Sequence, residues 1–360
     1  FQRLIFKYKE MDMANKAVGI IGAGAWGTAM AQALARGDNS VEIWAMEPEV
    51  ADSINNEHEN KKFLPGFTLC ENVKASTDLN QVASNKEVVI FASPSLFLAS
   101  TVAKVKDCAG IKEGTTCIGV LTKGFVPSPE GPKFILETME EVLPASYKGN
   151  LVYIAGPSHA EEVAMGKLTG LIAASENPMS SIRIRELLKV PGLLVYSSLD
   201  VIGVQVCAAA KNVIAVVFGC VDAMAETSDL FGDNAESLLL AAGLNEIQTL
   251  GFALGATHAE TFTSISGIGD LDVTCRSKYG RNRRFGQDII KKNILDNFKN
   301  LDDLIANISK VGYLPEGAVA CKYIYELSEK KGLKLTLTDA LYKVLNKEKK
   351  PEDFLSEVLG

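Results

Sequence analysis

The sequence contains few of the residues that build metal centres and disulfide frameworks. Its 360 residues include 3 His and 7 Cys, an odd number of thiols with no Cys-x-x-Cys pair. We therefore expect neither a zinc site nor a disulfide framework, and no bound metal. Scattered thiols are typical of a reducing compartment, which favours a cytoplasmic location.

An excess of positive charge is also absent. Lys and Arg total 37 against 44 Asp and Glu, a formal net charge of −7 at pH 7. This balance disfavours general affinity for nucleic acid, so an anionic ligand would need a local basic cluster. With 47% hydrophobic and 22% charged residues over 360 positions, the composition is that of a soluble globular protein, and the length predicts two packed domains.

Two segments resemble membrane or targeting signals. The apolar run Val201–Val221 has the length of a bilayer span, but Lys211 lies at its middle, where a charge in lipid is costly. We therefore predict a helix buried in a soluble core and no integral membrane association. Residues 1–15 are predicted to be an N-terminal extension, either upstream of a start at Met11 or Met13 or the remnant of a plastid or other organellar transit peptide.

A glycine-rich turn near the start predicts a nucleotide-binding unit. Ala17–Ile21 is an apolar run of the buried-strand kind, and GAGAWG follows at residues 22–27. The predicted helix Thr28–Arg36 and strand Val41–Trp44 come next, which is the context in which this motif binds a dinucleotide. The three glycines, Gly22, Gly24 and Gly27, permit the tight turn, the approach of a pyrophosphate and close helix–strand packing.

An acidic residue is expected about 20 residues after such a turn, where its carboxylate accepts hydrogen bonds from the ribose of NAD. Glu47 stands in this region, and no Arg or Lys lies within Val41–Val50 to hold the 2′-phosphate of NADP. NAD is therefore the favoured cofactor, with NADP as the alternative. The competing interpretation makes Glu47 a solvated turn residue.

Further apolar runs follow at intervals and predict an α/β fold with a Rossmann-type doubly wound sheet. Ligands of such sheets bind at the carboxyl ends of the strands, so the turns there form the predicted cleft. Lys123 follows one strand directly and is a candidate ligand residue, the alternative being a solvated loop lysine. The predicted strands are Val88–Ala92, Cys117–Leu121 and Leu151–Ala155, with weaker candidates at Leu171–Ala174 and Leu193–Tyr196.

After Asp200 the strand pattern ends and helical patterns dominate. We therefore predict a dinucleotide-binding domain over residues 16–200 and an all-α substrate and catalytic domain over residues 201–360. In the buried helix, Lys211 is the single charge, and burial lowers the pKa of a lysine unless a carboxylate compensates. Such lysines occur at sites of proton transfer, whereas the alternative is a structural ion pair. Asp270, in a glycine-bent turn, is the candidate partner.

A basic cluster follows this turn. Residues 276–284 contain five basic side chains and no acid, which predicts an anion site suited to a small phosphorylated substrate. The competing interpretation is a solvated charged face.

These motifs together resemble the soluble NAD(P)-dependent glycerol-3-phosphate dehydrogenases of the bacterial and plastid type, over roughly residues 16 to 358. The resemblance is carried by the glycine turn with Thr28-Ala29, Thr122-Lys123-Gly124, Ala155-Gly156-Pro157-Ser158, Lys211-Asn212-Val213, Gly267-Ile268-Gly269-Asp270-Leu271 with Thr274-Cys275, Gly280-Arg281-Asn282-Arg283-Arg284-Phe285-Gly286, and Pro315-Glu316-Gly317. Gly280 departs from the serine usual in the bacterial branch, and Met46 stands where many members carry a basic residue.

The resemblance implies interconversion of dihydroxyacetone phosphate and sn-glycerol 3-phosphate, feeding glycerolipid synthesis and redox balance, by a protein that is usually a homodimer. Lys211 looks like the catalytic acid/base, assisted by Lys123 and Asp270. Cofactor contacts are implied for Gly22, Gly24, Ala25, Trp26, Gly27, Glu47, Phe97, Lys123, Ala160, Arg281 and Glu316. Substrate contacts are implied for Lys123, Gly156, Ser158, Lys211, Asn212, Asp270, Gly280, Arg281 and Asn282.

Two rival functions remain open at this stage. The β-hydroxyacid dehydrogenases also join a Rossmann domain to a helical one, but they recognise a carboxylate and place Lys and Asn about one helical turn apart, whereas Lys211 and Asn212 are adjacent. An NAD-dependent sensor without chemistry is the other rival. His159 is interpreted as a helix-start residue, with a catalytic histidine as the alternative.

Overall fold

The computed structural model describes residues 16–277 and 280–353, and the predicted extension at residues 1–15 lies outside them. Ten strands are present among the described residues. All seven strands predicted from apolar runs are found, each within two residues at either end, and the first has the predicted bounds. The strands are β1 Ala17–Ile21, β2 Ser40–Trp44, β3 Val73–Ser76, β4 Val88–Phe91, β5 Cys117–Val120, β6 Phe125–Val126, β7 Lys133–Phe134, β8 Val152–Ala155, β9 Thr169–Ala174 and β10 Leu193–Ser198.

Eight of these strands form one sheet in the order β10-β9-β8-β5-β4-β1-β2-β3, while β6 and β7 form a small separate hairpin. β1 pairs in parallel with both β2 and β4, as the doubly wound prediction requires. The sheet is mixed, however, because β9 runs antiparallel to β8 and β10 runs parallel to β9. The carboxyl ends of β1, β4, β5 and β8 therefore share one edge, and those of β9 and β10 lie at the opposite edge.

The helices before β10 flank this sheet, and those after it form a helical half. They are α1 Ala25–Ala35, α2 Pro48–Glu57, α3 Leu79–Ala83, α4 Ser95–Val105, α5 Ile135–Val142, α6 Ala160–Ala164, α7 Pro178–Leu187, α8 Val201–Ala225, α9 Asp233–Leu254, α10 Glu260–Thr263, α11 Asp270–Arg276, α12 Arg281–Lys292, α13 Leu301–Ala306, α14 Glu316–Lys331 and α15 Thr336–Leu345. Short 3₁₀ turns lie at Ala145–Tyr147, Ile294–Asn297, Ile308–Val311 and Pro351–Asp353, and a π-helical turn lies at Ile265–Gly269.

The prediction of a buried central helix is confirmed by α8. Both α8 and α9 are long and apolar enough to cross a membrane by length and composition, but the apolar window of α8 is 94% buried inside the protein and that of α9 is 33% buried. Most of the other helices of this half pack around α8. Helices α8 and α12 cross closely because of a glycine: a Cβ on Gly286 of α12 would lie 2.0 Å from the carbonyl oxygen of Val216 in α8.

Two elements were missed by sequence analysis. β3 reads VKAS and has little apolar character, so its alternation is too short to distinguish it from a loop. The hairpin of β6 and β7 has two residues per strand, below the length at which a periodic pattern exists. Both elements are defined by pairing between strands: β3 pairs with β2, and β6 pairs with β7.

Candidate active site

The glycine turn leaves the start of α1 open to an anion. Gly22 has φ +121°, and a Cβ there would lie 3.0 Å from backbone atoms of Ala92 and Ser93. Gly24 is the N-cap of α1, no side chain caps it, and a Cβ on it would have no heavy atom within 4 Å. The first amides of α1 therefore point at space that a pyrophosphate can fill, as the motif predicts.

Two buried polar atoms lie beside the turn. The indole Nε1 of Trp26 and the hydroxyl of Ser93, which follows β4, are buried without a hydrogen-bond partner among the residues described. Buried donors are normally satisfied, so an orphaned pair at the cleft is what a bound polar ligand would explain. These residues fit a dinucleotide cofactor.

Glu47 is the N-cap residue of α2, just beyond the carboxyl end of β2. Its carboxylate is not simply solvated, because it pairs with the ammonium of Lys62 at 3.2 Å. Lys62 lies outside the range Val41–Val50 and was therefore not predicted; the fold brings its side chain back to Glu47.

A continuous path runs along the sheet edge from the glycine turn to the helical half. Gly22 contacts the backbone at Ser93, and the hydroxyl of Thr122 donates to the Ser93 carbonyl at 2.7 Å. The next residue, Lys123, reaches Asp270 of α11, with 3.3 Å between Nζ and Oδ2. The cofactor turn and the predicted catalytic residues are thus linked by one chain of contacts.

Lys211 lies at the end of this path. Its Nζ donates to Asp270 Oδ1 at 2.5 Å and to Thr274 Oγ1 at 2.9 Å. Lys211 is 5% exposed and Asp270 is fully buried. Burial lowers the pKa of Lys211 to about 8, with Asp270 opposing the shift and the neighbouring Lys123 adding to it.

The position of Asp270 depends on the π-helical turn before it. Gly267 has φ −89° and ψ −105°, and a Cβ on it would lie 2.0 Å from the carbonyl of Phe262. This close approach turns the chain so that Asp270 opens α11 on the side of α8. Thr274 lies one turn later, and its hydroxyl also donates to the carbonyl of Asp270 at 2.6 Å.

His159 is the N-cap residue of α6, which confirms its interpretation as a helix-start residue. Its Nε2 lies 3.2 Å from the Val273 carbonyl of α11. Burial is the largest cause of a lowered pKa for His159, so the neutral ring is favoured. Its contact ties the loop after β8 to the helix that carries Asp270.

Asn212 and Asn282 meet beside Lys211. Asn282 Nδ2 donates to Asn212 Oδ1 at 3.0 Å, and its Oδ1 accepts from the amide of Gly317 at 2.9 Å. Both of its polar atoms are thus engaged, which fixes the start of α12 against α8 and α14. Arg281, the first residue of α12, is exposed and forms no ion pair with the described residues.

The basic cluster is less of an anion site than its sequence predicts. Arg276 pairs with Asp272 and Glu236, and Arg283 with Asp222. Arg284 lies 3.8 Å from Asp288 and stacks on Tyr313. The acids lie in other helices or in neighbouring turns outside residues 276–284, so a count within that stretch could not include them. Among the four arginines only Arg281 keeps no acidic partner in the described parts of the chain, while Lys278 lies outside them.

The remaining residues predicted to contact cofactor or substrate lie in loops and at the starts of helices. Ser158 donates to the carbonyl of Gly156 at 2.9 Å, and Gly280 is the uncapped N-cap residue of α12. Phe97 is 61% exposed in the first turn of α4, and Ala160 is buried at the first position of α6. Glu316 begins α14.

Sequence analysis also missed two supporting residues. Thr274 was noted only as part of a motif, although its four-residue spacing from Asp270 places both on one helical face. Asn60 carries no motif, yet its Nδ2 donates to the carbonyl of Ala23 inside the glycine turn at 2.8 Å. No local pattern could have indicated that contact.

Fold and site together define a dinucleotide-dependent oxidoreductase, in which a Rossmann-type sheet faces a helical half carrying a buried lysine–carboxylate pair. Family models narrow this class. The N-terminal model of NAD-dependent glycerol-3-phosphate dehydrogenase matches residues 17–181, and the C-terminal model matches residues 200–356. The chain belongs to the NAD-dependent glycerol-3-phosphate dehydrogenase family and is an NAD(P)-dependent enzyme.

Similar proteins agree with this assignment over nearly their whole lengths. The glycerol-3-phosphate dehydrogenase (NAD(P)+) of Treponema denticola is 60% identical over 351 residues, 96% of this chain and 98% of that protein. Its namesake from Treponema pallidum is 52% identical over 353 residues, 96% of this chain and 99% of that protein. The crystal structure of glycerol-3-phosphate dehydrogenase from Coxiella burnetii superposes with a TM-score of 0.82 at 28% identity, covering 96% of this chain and 99% of that one.

Proposed function

We propose that the chain interconverts dihydroxyacetone phosphate and sn-glycerol 3-phosphate, with Lys211 as the general acid and base. The observation that carries this proposal is the buried contact of Lys211 with Asp270 and Thr274, reached from the cofactor side by Lys123. A lysine whose pKa lies near the working pH can both give and take a proton, whereas a solvated lysine is almost always charged.

Lys211 is proposed to donate its proton to the C2 carbonyl oxygen during reduction and to take the hydroxyl proton during oxidation. Asp270 holds the ammonium in place and stabilises its charged form. Lys123 adds positive charge at the oxygen where negative charge develops, which lowers the barrier when water is excluded. The nicotinamide supplies or accepts the hydride at C2 when the dinucleotide is bound.

Arg281 is proposed to hold the substrate phosphate. It is the arginine of the cluster without an acidic partner among the described residues, and it begins a helix whose first amides favour an anion. A guanidinium can hold two phosphate oxygens at once. Asn282, next to it, is proposed to fix the direction of Arg281 through its bonds to Asn212 and Gly317.

The test compares Lys211→Met with Lys104→Met, a control on the exposed face of α4. We expect Lys211→Met to lower kcat with dihydroxyacetone phosphate and NADH by about a thousandfold, because general acid catalysis contributes about 10²–10⁴. The dissociation constant of NADH should change little in either variant. Retention of turnover in Lys211→Met would refute the role of Lys211.

Two further substrates separate the rival functions. Turnover of the wild-type protein with dihydroxyacetone phosphate, and none with dihydroxyacetone, supports a phosphate-recognising dehydrogenase. Turnover with a 3-hydroxy acid instead would favour the β-hydroxyacid class. NADH binding without turnover of dihydroxyacetone phosphate or the 3-hydroxy acid would favour an NAD-dependent sensor without chemistry.

We further propose a domain boundary near residue 200, with residues 16–200 binding the dinucleotide and residues 201–360 supplying the catalytic lysine.

We also propose that the protein is a homodimer and is cytoplasmic. The exposed side chains Leu238 and Phe252 on α9 support self-association, since large apolar groups repeated along one helix are typical of an interface. Sedimentation velocity tests the dimer.

A further inference from the structure

The segment His58–Leu64 is fixed beside the glycine turn by a buried asparagine. Asn60 has no exposed surface. Its Nδ2 donates to the Ala23 carbonyl and to the Thr28 hydroxyl, each at 2.8 Å, and its Oδ1 accepts from the amide of Phe63 at 3.0 Å. The backbone on both sides of Lys62 is therefore held in a set position relative to the phosphate-binding turn.

Lys62 uses this position to join two carboxylates. Its Nζ lies 3.2 Å from Glu47 Oε1 and 3.2 Å from Glu49 Oε1. The hydrogen bonds that Lys62 donates to Glu49 and Glu47 raise its pKa, so it is charged at neutral pH. Two carboxylates and one ammonium leave a formal charge of −1 on this cluster, which we name the ribose triad: Glu47, Lys62 and Glu49.

The ribose triad lies where the adenosine ribose is expected, at the carboxyl end of β2 and one strand away from the glycine turn. NAD presents two hydroxyls there, which a carboxylate can accept. NADP presents a dianionic phosphate at the 2′ position, which two carboxylates repel and one ammonium attracts. The balance of these three charges therefore bears on the choice between the two cofactors.

We propose that Lys62 is a specificity-determining residue that allows this chain to bind NADP while Glu47 and Glu49 keep NAD preferred. This inference rests on the proposed function in that it assumes a dinucleotide with its ribose at Glu47. Without Lys62 the triad would carry −2 and oppose a phosphate more strongly. Without the Glu47 charge it would be neutral, and the ammonium would be released for the phosphate.

The test measures dissociation constants of NADH and NADPH through quenching of the intrinsic fluorescence of Trp26 and Trp44, the 2 tryptophans of the chain. Lys62→Met is compared with Lys61→Met, its neighbour, which pairs with Glu57 outside the triad. The two variants change the net charge equally. We expect Lys62→Met to weaken NADPH binding about five- to tenfold relative to NADH, in line with loss of one charge-assisted contact at an exposed site, and Lys61→Met to leave the ratio unchanged.

Glu47→Gln provides the opposite change and should shift the ratio towards NADPH. Both shifts should shrink as salt is raised, because exposed charges are screened. Equal ratios in Lys62→Met and Lys61→Met would overturn the inference. The proposed function fails separately: a wild-type protein that binds both dinucleotides but does not turn over dihydroxyacetone phosphate would refute that function, while the binding ratios would still decide the role of Lys62.

Discussion

Replacing Asp270 by Asn removes the charge that lies between two lysines and keeps nearly the same side-chain volume. Asp270 accepts from Lys211 at 2.5 Å and from Lys123 at 3.3 Å. Since Asp270 is fully buried and Lys211 is 5% exposed, solvent cannot replace the lost charge. The two ammonium groups would then face each other across a neutral amide.

The expected result is a large fall in the pKa of Lys211. Burial already lowers this pKa to about 8 while Asp270 opposes the shift, and an opposite charge at such a distance is worth about one to three pKa units. Loss of that charge therefore lowers the pKa of Lys211 further. At a pH above both pKa values the ammonium fraction falls by about ten- to a thousandfold, and carbonyl reduction slows with it.

The assay is the pH dependence of turnover in both directions, with Asp272→Asn as the control. Asp272 lies two residues along α11, is about half exposed and pairs with Arg276. Reduction needs the ammonium, so its alkaline limb should move to lower pH in Asp270→Asn. Oxidation needs the neutral amine, so its acid limb should move the same way. If both limbs of the Asp270→Asn pH profiles stay at the pH seen in the wild-type protein and in Asp272→Asn, Asp270 does not control the pKa of Lys211.

Two other substitutions test separate parts of the molecule. Arg281→Ala should raise KM for dihydroxyacetone phosphate about ten- to a hundredfold, the value of a lost hydrogen bond to a charged group, whereas Arg276→Ala, whose partners are Asp272 and Glu236, should not; equal effects on KM would place the phosphate elsewhere. Tyr153→Phe removes a buried hydroxyl without a partner among the described residues, so urea unfolding should show a gain of about 1 kcal/mol; a loss of stability would mean that the hydroxyl is hydrogen-bonded.

The parts of the fold predicted from sequence are those with strong local patterns. The strand β1 and the glycine turn follow from an apolar run and from the steric need for glycine, both of which are read within ten residues. The burial of α8 follows from one charge inside a long apolar run. The reversal of β9 could not be predicted, because its direction is decided by pairing with β8 and leaves no periodic mark in the sequence.

In the site, too, residues with a strong local pattern were predicted and long-range contacts were not. Lys211 and Asp270 were predicted as partners from the chemistry of a buried lysine, which requires a carboxylate from somewhere in the chain. Lys62, by contrast, is separated from Glu47 by a helix and a turn, and nothing local distinguishes it from the neighbouring Lys61. The pairing of Arg283 with Asp222 likewise depends on the crossing of α12 and α8.

The two halves of the chain are joined at the group that the chemistry uses. Asp270 accepts from Lys123, which follows a strand of the sheet, and from Lys211, which lies in the central helix, and 147 residues separate Lys123 from Asp270. The Asp270 carboxylate therefore has one positive charge from each half of the chain beside it. Lys123 also contributes to lowering the pKa of Lys211, so the contact between the halves bears on the proton affinity of the proposed acid. The proposed acid–base site therefore depends on the packing of the two halves.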